Sequence, residues 1–501
     1  MLNYIRESCI RFADKTAFVI ENKSYTYSDF AVKVSSVRNR LDQLGGKNLK
    51  LVGVETYNDI NTYTSIFGIL FSGNGFVPLN PTNPIDRNQS VIEQSELMVI
   101  LTSNKNSDIS KLASASNIDV ISFDDLIFGE INLKIPDVSD EEIAYILFTS
   151  GSTGVPKGVP ITRKNLTAFI DAFYALGYNI DENDRFMQMF ELTFDFSIFT
   201  YIAPLCKGAS VHTLPTGGIK YANVYTILEE QEITFAAMVP SILSYLRPYF
   251  EEINFDKMKY SLFCGEALVK DVVTEWQKCT PNSTIINAYG PTEATVFCLI
   301  YNCSKNANEI KEHNDAISIG KEMLNMKALI IDENLKILPD GEKGELCLSG
   351  DQVTPGYLKN DEKNKESFFK VKIGDKEEIF YRTGDLAYID SQGDFMFLGR
   401  LDFQVKVDGF RIELGEIEHY VRHHTNLTNV VAAPINNKVG TAEIHLFMEN
   451  FSGDSNELVL KLKEKIPHYM IPSYFHNVPA FPLNSNGKVD RKALIQNYSK
   501  N

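Results

Sequence analysis

Hydroxyl groups, glycines and one lysine crowd into a single short run, Leu147-Phe-Thr-Ser-Gly-Ser-Thr-Gly-Val-Pro-Lys-Gly158. Glycines let a backbone approach an anion closely, and successive N–H groups form an anion-binding concavity. Ser150, Ser152 and Thr153 add hydroxyl donors and Lys157 adds positive charge. The chemistry implied is the handling of a polyphosphate. This is not a Walker loop, because Gly158 follows the lysine where Ser or Thr should stand. Alone, the run reads equally well as a solvated connector. A second run, Asn287-Ala-Tyr-Gly-Pro-Thr-Glu293, closes an apolar segment. Tyr289 is a flat surface suited to stacking a base, and Asn287 can hydrogen-bond an adenine edge. Thr292 can donate to a phosphate, and Glu293 is a hard oxygen ligand for Mg²⁺. The bland alternative is a tight Gly-Pro turn carrying an exposed acid.

Elements must bring these residues together. Ile143 to Phe148 reads as a buried strand ahead of the loop, and an amphipathic helix is expected from Lys164 onward. Short apolar runs alternate with helical segments upstream: Lys50 to Glu55, Ile60 to Phe71, Gly75 to Leu79 and Leu97 to Thr102. The alternation resumes downstream at Asp184 to Met189, Asp195 to Leu205, Ala209 to Leu214, Thr234 to Val239, Tyr260 to Cys264 and Thr284 to Ala288. Two doubly wound α/β layers are expected, with strand ends converging on a cleft. Met1 to Phe18 reads as an amphipathic helix, and Ser103 to Asn117 as a polar surface excursion. From Lys327 the pattern turns β-rich, and the last hundred residues mix strands and helices. The expected division is residues 1–401, an N-terminal core, and 402–501, a small mobile α+β domain.

A chain of 501 residues is too long for one core. Its net charge of −16 argues against a general nucleic-acid binder. Seven scattered cysteines with no C-x-x-C pair point to a reduced compartment. No apolar run is long enough for membrane insertion, and the N-terminus does not read as a signal peptide, so a cytoplasmic location is expected.

The loop and the Asn287–Glu293 run resemble those of the adenylate-forming (ANL) superfamily, and further motifs extend the resemblance to nearly the last residue. They are Tyr381-Arg-Thr-Gly-Asp385, Gly399-Arg-Leu-Asp402 continuing through Gly409 to Glu418, and Asn486-Gly-Lys488. The resemblance implies an AMP-forming ligase that uses ATP and Mg²⁺. It places Thr149, Ser150, Gly151, Ser152, Thr153, Gly154 and Lys157 at the phosphates, and Asn287, Ala288, Tyr289, Gly290 and Thr292 at the nucleotide. Asp385 would grip the ribose hydroxyls, and Arg400 would contact ribose or phosphate. Glu293 would hold the metal and Asp402 would be the hinge. Gly409 would enter the site in the second half-reaction, where a thiol must pass. Lys488 would be catalytic, with Thr153 and Glu293 beside it. A cation bridging the attacking carboxylate and the developing phosphorane stabilises charge where it forms, and its loss should cost roughly two to three orders of magnitude in rate.

Phe194-Asp195-Phe-Ser197 resembles the amino-acid adenylation domains of nonribosomal peptide synthetases, whose aspartate binds the substrate ammonium. Asp195 could equally cap the following helix. The implied pocket comprises Asp195, Phe196, Phe199, Met238, Leu262, Cys264, Gly265, Ala288, Val296, Phe297 and Lys488, with Asp195 and Lys488 as its only formal charges. The nearest resemblance is to stand-alone D-alanine–carrier-protein ligases, through Phe263-Cys-Gly-Glu266 and Gly399-Arg-Leu-Asp-Phe-Gln404. That group typically has Leu and Met where Phe196 and Phe199 stand, and a smaller residue than Met238. A small aliphatic amino acid is the first expectation and an aminobenzoate the second. The acceptor is expected to be phosphopantetheine on a separate carrier protein, with Lys461, Lys463 and Lys465 as the candidate docking patch. Coenzyme A, as in an acyl-CoA synthetase, is the other thiol, and a non-catalytic binding module is the remaining alternative.

Overall fold

The computed structural model describes residues 1–151, 154–374, 376–402, 404–482 and 489–498. Among these residues the chain builds two large α/β layers, a β-rich unit and a small C-terminal α+β unit. One layer is a six-stranded sheet. Its order is Asp119–Ser122, Val99–Thr102, Leu51–Glu55, Gly75–Leu79, Ile143–Thr149 and Lys157–Thr162. Neighbours are parallel except the last pair, which forms a hairpin. The other layer has nine strands, with Arg185–Gln188, Phe235–Met238, Tyr260–Phe263 and Thr284–Tyr289 parallel at its centre. These strands are buried along their length and read as continuous apolar runs, as strands covered on both faces do.

A five-stranded antiparallel sheet follows. Its longest strand, Lys376–Ile389, pairs with Phe395–Arg400 and sets Asp385 opposite Arg400. Gln404–Val407 and Phe410–Glu413 form an isolated hairpin with Asp408 and Gly409 at its tip. The C-terminal unit packs Leu414–Thr425 and Ser455–Lys463 on the sheet of Val430–Asn436, Ala442–Glu449 and Tyr474–Val478. It has its own core of Ile412, Ile417, Val421, Leu446 and Leu462, separate from the main core.

Three local expectations change. The span 103–117 contains the helix Asp108–Ala115, because the Ser107 side chain accepts from the Ser110 N–H and Ile109 and Ala113 bury one face. The N-terminal helix ends at Arg11, and Thr16–Ile20 is a strand of the large sheet, next to its edge strand Lys23–Thr26. The phosphate-type loop returns as the strand Lys157–Thr162, with Thr162 capping the helix Arg163–Ala175. No helix among the described residues is long and apolar enough to cross a membrane.

Candidate active site

The hairpin Ile143–Thr149/Lys157–Thr162 pairs Thr149 with Lys157 and pinches the glycine-rich loop between them. Its donors meet carboxylates from the C-terminal hairpin and the helix after it. Lys157 Nζ lies 3.1 Å from Glu413 Oε1, with both side chains largely buried. The Gly151 N–H donates to Glu416 Oε2 at 3.2 Å. The Ser150 hydroxyl donates to the Arg411 carbonyl at 3.0 Å and accepts from the Glu413 N–H at 3.2 Å. Glu416 is fully buried against Arg87, 3.0 Å away. Ser152, Thr153 and Lys488 lie outside the described residues.

Asn287, Ala288, Tyr289, Gly265, Asp385 and Arg400 come together around a cavity of about 260 Å³. Asp385 sits where two strands meet, and its oxygens are both engaged. The Tyr289 hydroxyl donates to Oδ2 at 2.5 Å and Arg400 Nη1 to Oδ1 at 2.6 Å. Arg400 also forms a two-pronged pair with Asp402, at 2.7 Å on each arm. Asn287 donates to the Ser318 carbonyl at 2.9 Å.

Thr149, Ser150, Asp195 and Thr292 line an adjoining smaller cavity, closed by Phe410 and Arg411. Asp195 precedes the helix Phe196–Lys207, yet its side chain makes no cap bond. It accepts instead from the Thr292 hydroxyl at 2.5 Å. Burial pushes its carboxyl up to about 6, against the pull of that hydrogen bond and of the Lys406 charge. Arg87 and Arg411, which line this cavity, and Lys406, which lines the neighbouring one, are formal charges beyond the two expected from sequence. Phe196, Phe199 and Phe297 are fully buried; Phe199 and Phe297 meet Phe169 and Phe173 edge to face, and Phe196 meets Phe297 in the same way. Met238, Leu262 and Cys264 are buried beside them, and burial pushes the Cys264 thiol up to about 12, so it behaves as a small apolar group. Val296 takes a left-handed φ of 74°, strained for a β-branched residue.

Glu293, at 1% exposure, is engaged on both oxygens. Arg411 Nη1 approaches Oε2 at 3.1 Å, and the Tyr357 hydroxyl donates to Oε1 at 2.6 Å. Burial opposes its charge, but Arg411 and Tyr357 together hold the carboxyl below the usual range. A metal ion does not fit on Glu293 in this arrangement. Among the described residues no cluster of three His, Cys, Asp or Glu could hold one.

Gly409 shows why the hairpin can reach so far in. Its φ is +84°, its N–H donates to Glu266 Oε1 at 2.8 Å, and a Cβ there would lie 2.5 Å from Val239 Cγ1. Phe410 then stacks flat on Tyr469, with ring centres 4.0 Å apart.

The family model for AMP-binding enzymes matches residues 5–358. The chain belongs to the AMP-binding enzyme family. It is 31% identical to tyrocidine synthase 1 of Brevibacillus parabrevis over 97% of its own length, but spans only 44% of that relative. It is 32% identical to zwittermicin A synthase ZmaJ of Bacillus cereus, covering 97% of this chain and 93% of ZmaJ. Its fold matches the Vibrio cholerae adenylation domain AlmE, solved with glycyl-adenosine-5'-phosphate, at a TM-score of 0.88 and 24% identity, covering 100% of this chain and 97% of AlmE. That likeness speaks to fold alone.

In this AMP-binding enzyme, sequence reasoning passed over Lys406, Arg411, Glu413 and Glu416 within a segment it had already singled out. The strand period was available: Arg411 and Glu413 share one face while Ile412, fully buried, takes the other. Two of the three lysines considered for docking have acidic partners, Lys465 with Asp86 at 2.6 Å and Lys461 with Glu457 at 2.7 Å.

Proposed function

We propose that this chain activates a small amino acid with ATP and passes the aminoacyl group to the phosphopantetheine thiol of a separate carrier protein. One observation carries the amine preference. Asp195 is a buried carboxylate facing the cavity shared by Thr149, Ser150 and Thr292. An acid held there is costly unless a cation joins it. An ammonium group supplies that cation. The phenylalanine wall supports a small aliphatic side chain over an aryl one, since Phe199 and Phe297 are committed to the aromatic core.

In the first step a substrate carboxylate oxygen attacks the α-phosphorus and pyrophosphate leaves. Asp385 and Arg400 hold the ribose end, the loop around Lys157 holds the phosphates, and Lys488 bridges carboxylate and phosphorane. Magnesium bound with ATP would neutralise phosphate charge, and Glu293 would be free to hold it only with Arg411 withdrawn. In the second step the thiolate sulfur attacks the acyl carbon and AMP leaves. Positioning and electrostatics suffice for both. The two units, 1–401 and 402–501, turn about Asp402 between the steps. A wide cleft of about 870 Å³ beside the hairpin tip, lined by Asn80, Lys220, Asp408 and Tyr469, offers the thiol an approach.

Substrate-dependent ATP–pyrophosphate exchange tests this. The panel holds both alanine enantiomers, glycine, serine, aromatic amino acids, aminobenzoates and fatty acids. A response to one small amino acid, lost in Asp195→Ala, supports the proposal. Exchange only with acids lacking an amine, indifferent to Asp195→Ala, replaces it with an acyl-CoA synthetase.

A further inference from the structure

An ammonium group held by Asp195 needs room beyond it for the rest of the amino acid, and the structure leaves almost none. Phe199, Met238, Leu262 and Phe297 are each at 0% exposure, so no void that admits a water molecule touches any of them. A methyl group is larger than a water molecule. Cys264 and Ala288, at 4% each, show the little surface that remains there. They are the next residues on one sheet face after the pair Leu262–Ile286, so an α-carbon would rest on a flat floor made of a thiol and a methyl. We propose that this site takes glycine, the amino acid with no side chain, and that Phe196, Phe199 and Phe297 act by occupying the space a Cβ would need. This rests on the adenylation reading above and narrows it from a small amino acid to one.

The aromatic wall has supports of its own. Thr295 and Val296 are consecutive non-glycine residues at left-handed φ, 54° and 74°, a strained turn that persists only where its surroundings enforce it. The Thr295 hydroxyl pins it by donating to the Gln352 carbonyl at 2.6 Å. Gly290 lies against the same turn, and a Cβ there would stand 2.4 Å from Phe297 Cα. The turn delivers Phe297 edge to face onto Phe169 and Phe199, with ring centres 4.9 and 5.2 Å apart. Phe196 follows Asp195 directly and closes the other side, its ring 4.5 Å from Phe190 and 6.3 Å from Phe297. No ring can swing aside without moving another, because a close-packed interior has no slack. The remaining space is the cavity of about 70 Å³ that Asp195 shares with Thr149, Ser150 and Thr292. It has to take the substrate carboxylate and the α-phosphate, so it offers a side chain no second direction. Both alanine enantiomers should therefore be rejected alike.

ATP–pyrophosphate exchange on the full chain tests this, with Mg-ATP saturating and glycine, both alanine enantiomers and an aminobenzoate varied in turn. Forcing one methyl into a packed interior should lower kcat/KM for either alanine at least about thirtyfold below glycine, and the aminobenzoate should be silent. Phe196→Ala opens space beside Asp195, and the alanine-to-glycine ratio of kcat/KM should then rise about tenfold or more. A Phe196 with only a structural role would lower both substrates together and leave that ratio unmoved. A glycine preference below about tenfold in the unmodified chain would overturn the proposal, as would a response to the aminobenzoate or an unmoved ratio in folded Phe196→Ala. Should that variant not fold, the ranking of substrates by the unmodified chain still decides. If no amino acid supports exchange, the adenylation reading itself falls. Exchange with alanine but not glycine keeps that reading and removes only the closed pocket.

Discussion

The Thr292 hydroxyl donates to Asp195 Oδ2 at 2.5 Å, tying the nucleotide-side motif to the start of the helix Phe196–Lys207. The two residues are 97 positions apart, and their bond holds a buried carboxylate at the edge of the cavity shared with Thr149 and Ser150. That carboxyl is pushed up to about 6, chiefly by burial. Below that pH it becomes protonated and loses its hold on an ammonium group. The amino-acid KM should therefore rise roughly tenfold per unit as pH falls below about 6. A bound ammonium lowers the carboxyl again, so kcat should inflect at lower pH than KM. In Asp195→Asn the KM should be high and flat. Exchange kinetics from pH 5 to 8 measure both, and a flat KM in the unmodified chain would remove Asp195 from the amine site.

The same carboxyl sets a stability cost with a definite sign. Its folded value lies above its ordinary value of 3.8, so folding favours the protonated form. No cost exists where both states are protonated, below about pH 4. Stability is lost as pH rises from there through 6, by up to ~3 kcal/mol. Asp195→Asn should therefore bind its amino acid poorly yet be more stable than the parent at pH 7, with the difference vanishing near pH 4. Urea unfolding at the two pH values checks it. Equal stabilities at pH 7 would mean that burial is not what raises Asp195.

Phe199→Ala should act on stability before specificity. The ring contacts Phe169, Phe173, Phe235 and Phe297, edge to face throughout. Removing it leaves a large cavity in a close-packed cluster, worth about 3–5 kcal/mol. Denaturant titration gives the loss. A variant of unchanged stability that accepts larger amino acids would instead make Phe199 a lining residue with little packing role.

How far the sequence reached depends on how local the physics is. The alternation of apolar runs and helices foretold both α/β layers, because strands such as Phe235–Met238 are buried on both faces and advertise it in every residue. Asp108–Ala115 was missed because its burial rests on two residues, Ile109 and Ala113, amid polar ones. Motifs named Asn287, Tyr289, Asp385 and Arg400, and these meet around one cavity. What no local pattern could give is where the 404–413 hairpin docks. That follows from long-range pairs, Arg411 with Glu293 and Glu413 with Lys157, each of which looks like an ordinary surface charge in sequence. Phe199 is the converse case, named for the pocket by position while its contacts bind it to the core.

Tyr289→Phe separates the two ends of the site. It removes the hydroxyl that donates to Asp385 at 2.5 Å and leaves Arg400 as that carboxylate's remaining partner. A hydrogen bond to a charged group contributes roughly 1.5–3 kcal/mol. The ATP KM should rise about tenfold while the amino-acid KM stays within twofold. Initial-rate exchange with each substrate varied in turn shows which constant moves. A rise confined to the amino acid would place Tyr289 on the other side of the site.

Gly409→Ala should split the two half-reactions. At φ +84° any side chain is strained, and the new Cβ would lie 2.5 Å from Val239 Cγ1. The hairpin tip could then neither keep its N–H bond to Glu266 nor sit between Val239 and Gly265. Adenylation does not need that seat if the docked hairpin serves only thiol transfer. Exchange should therefore stay within about threefold of the parent, while loading of a carrier-protein thiol should fall by about a hundredfold, roughly 2.7 kcal/mol in the barrier. Radiolabelled loading beside exchange in one preparation makes the comparison. Equal losses in both would mean the hairpin tip supports the whole fold of the site, and loss of exchange alone would assign the docked arrangement to adenylation instead.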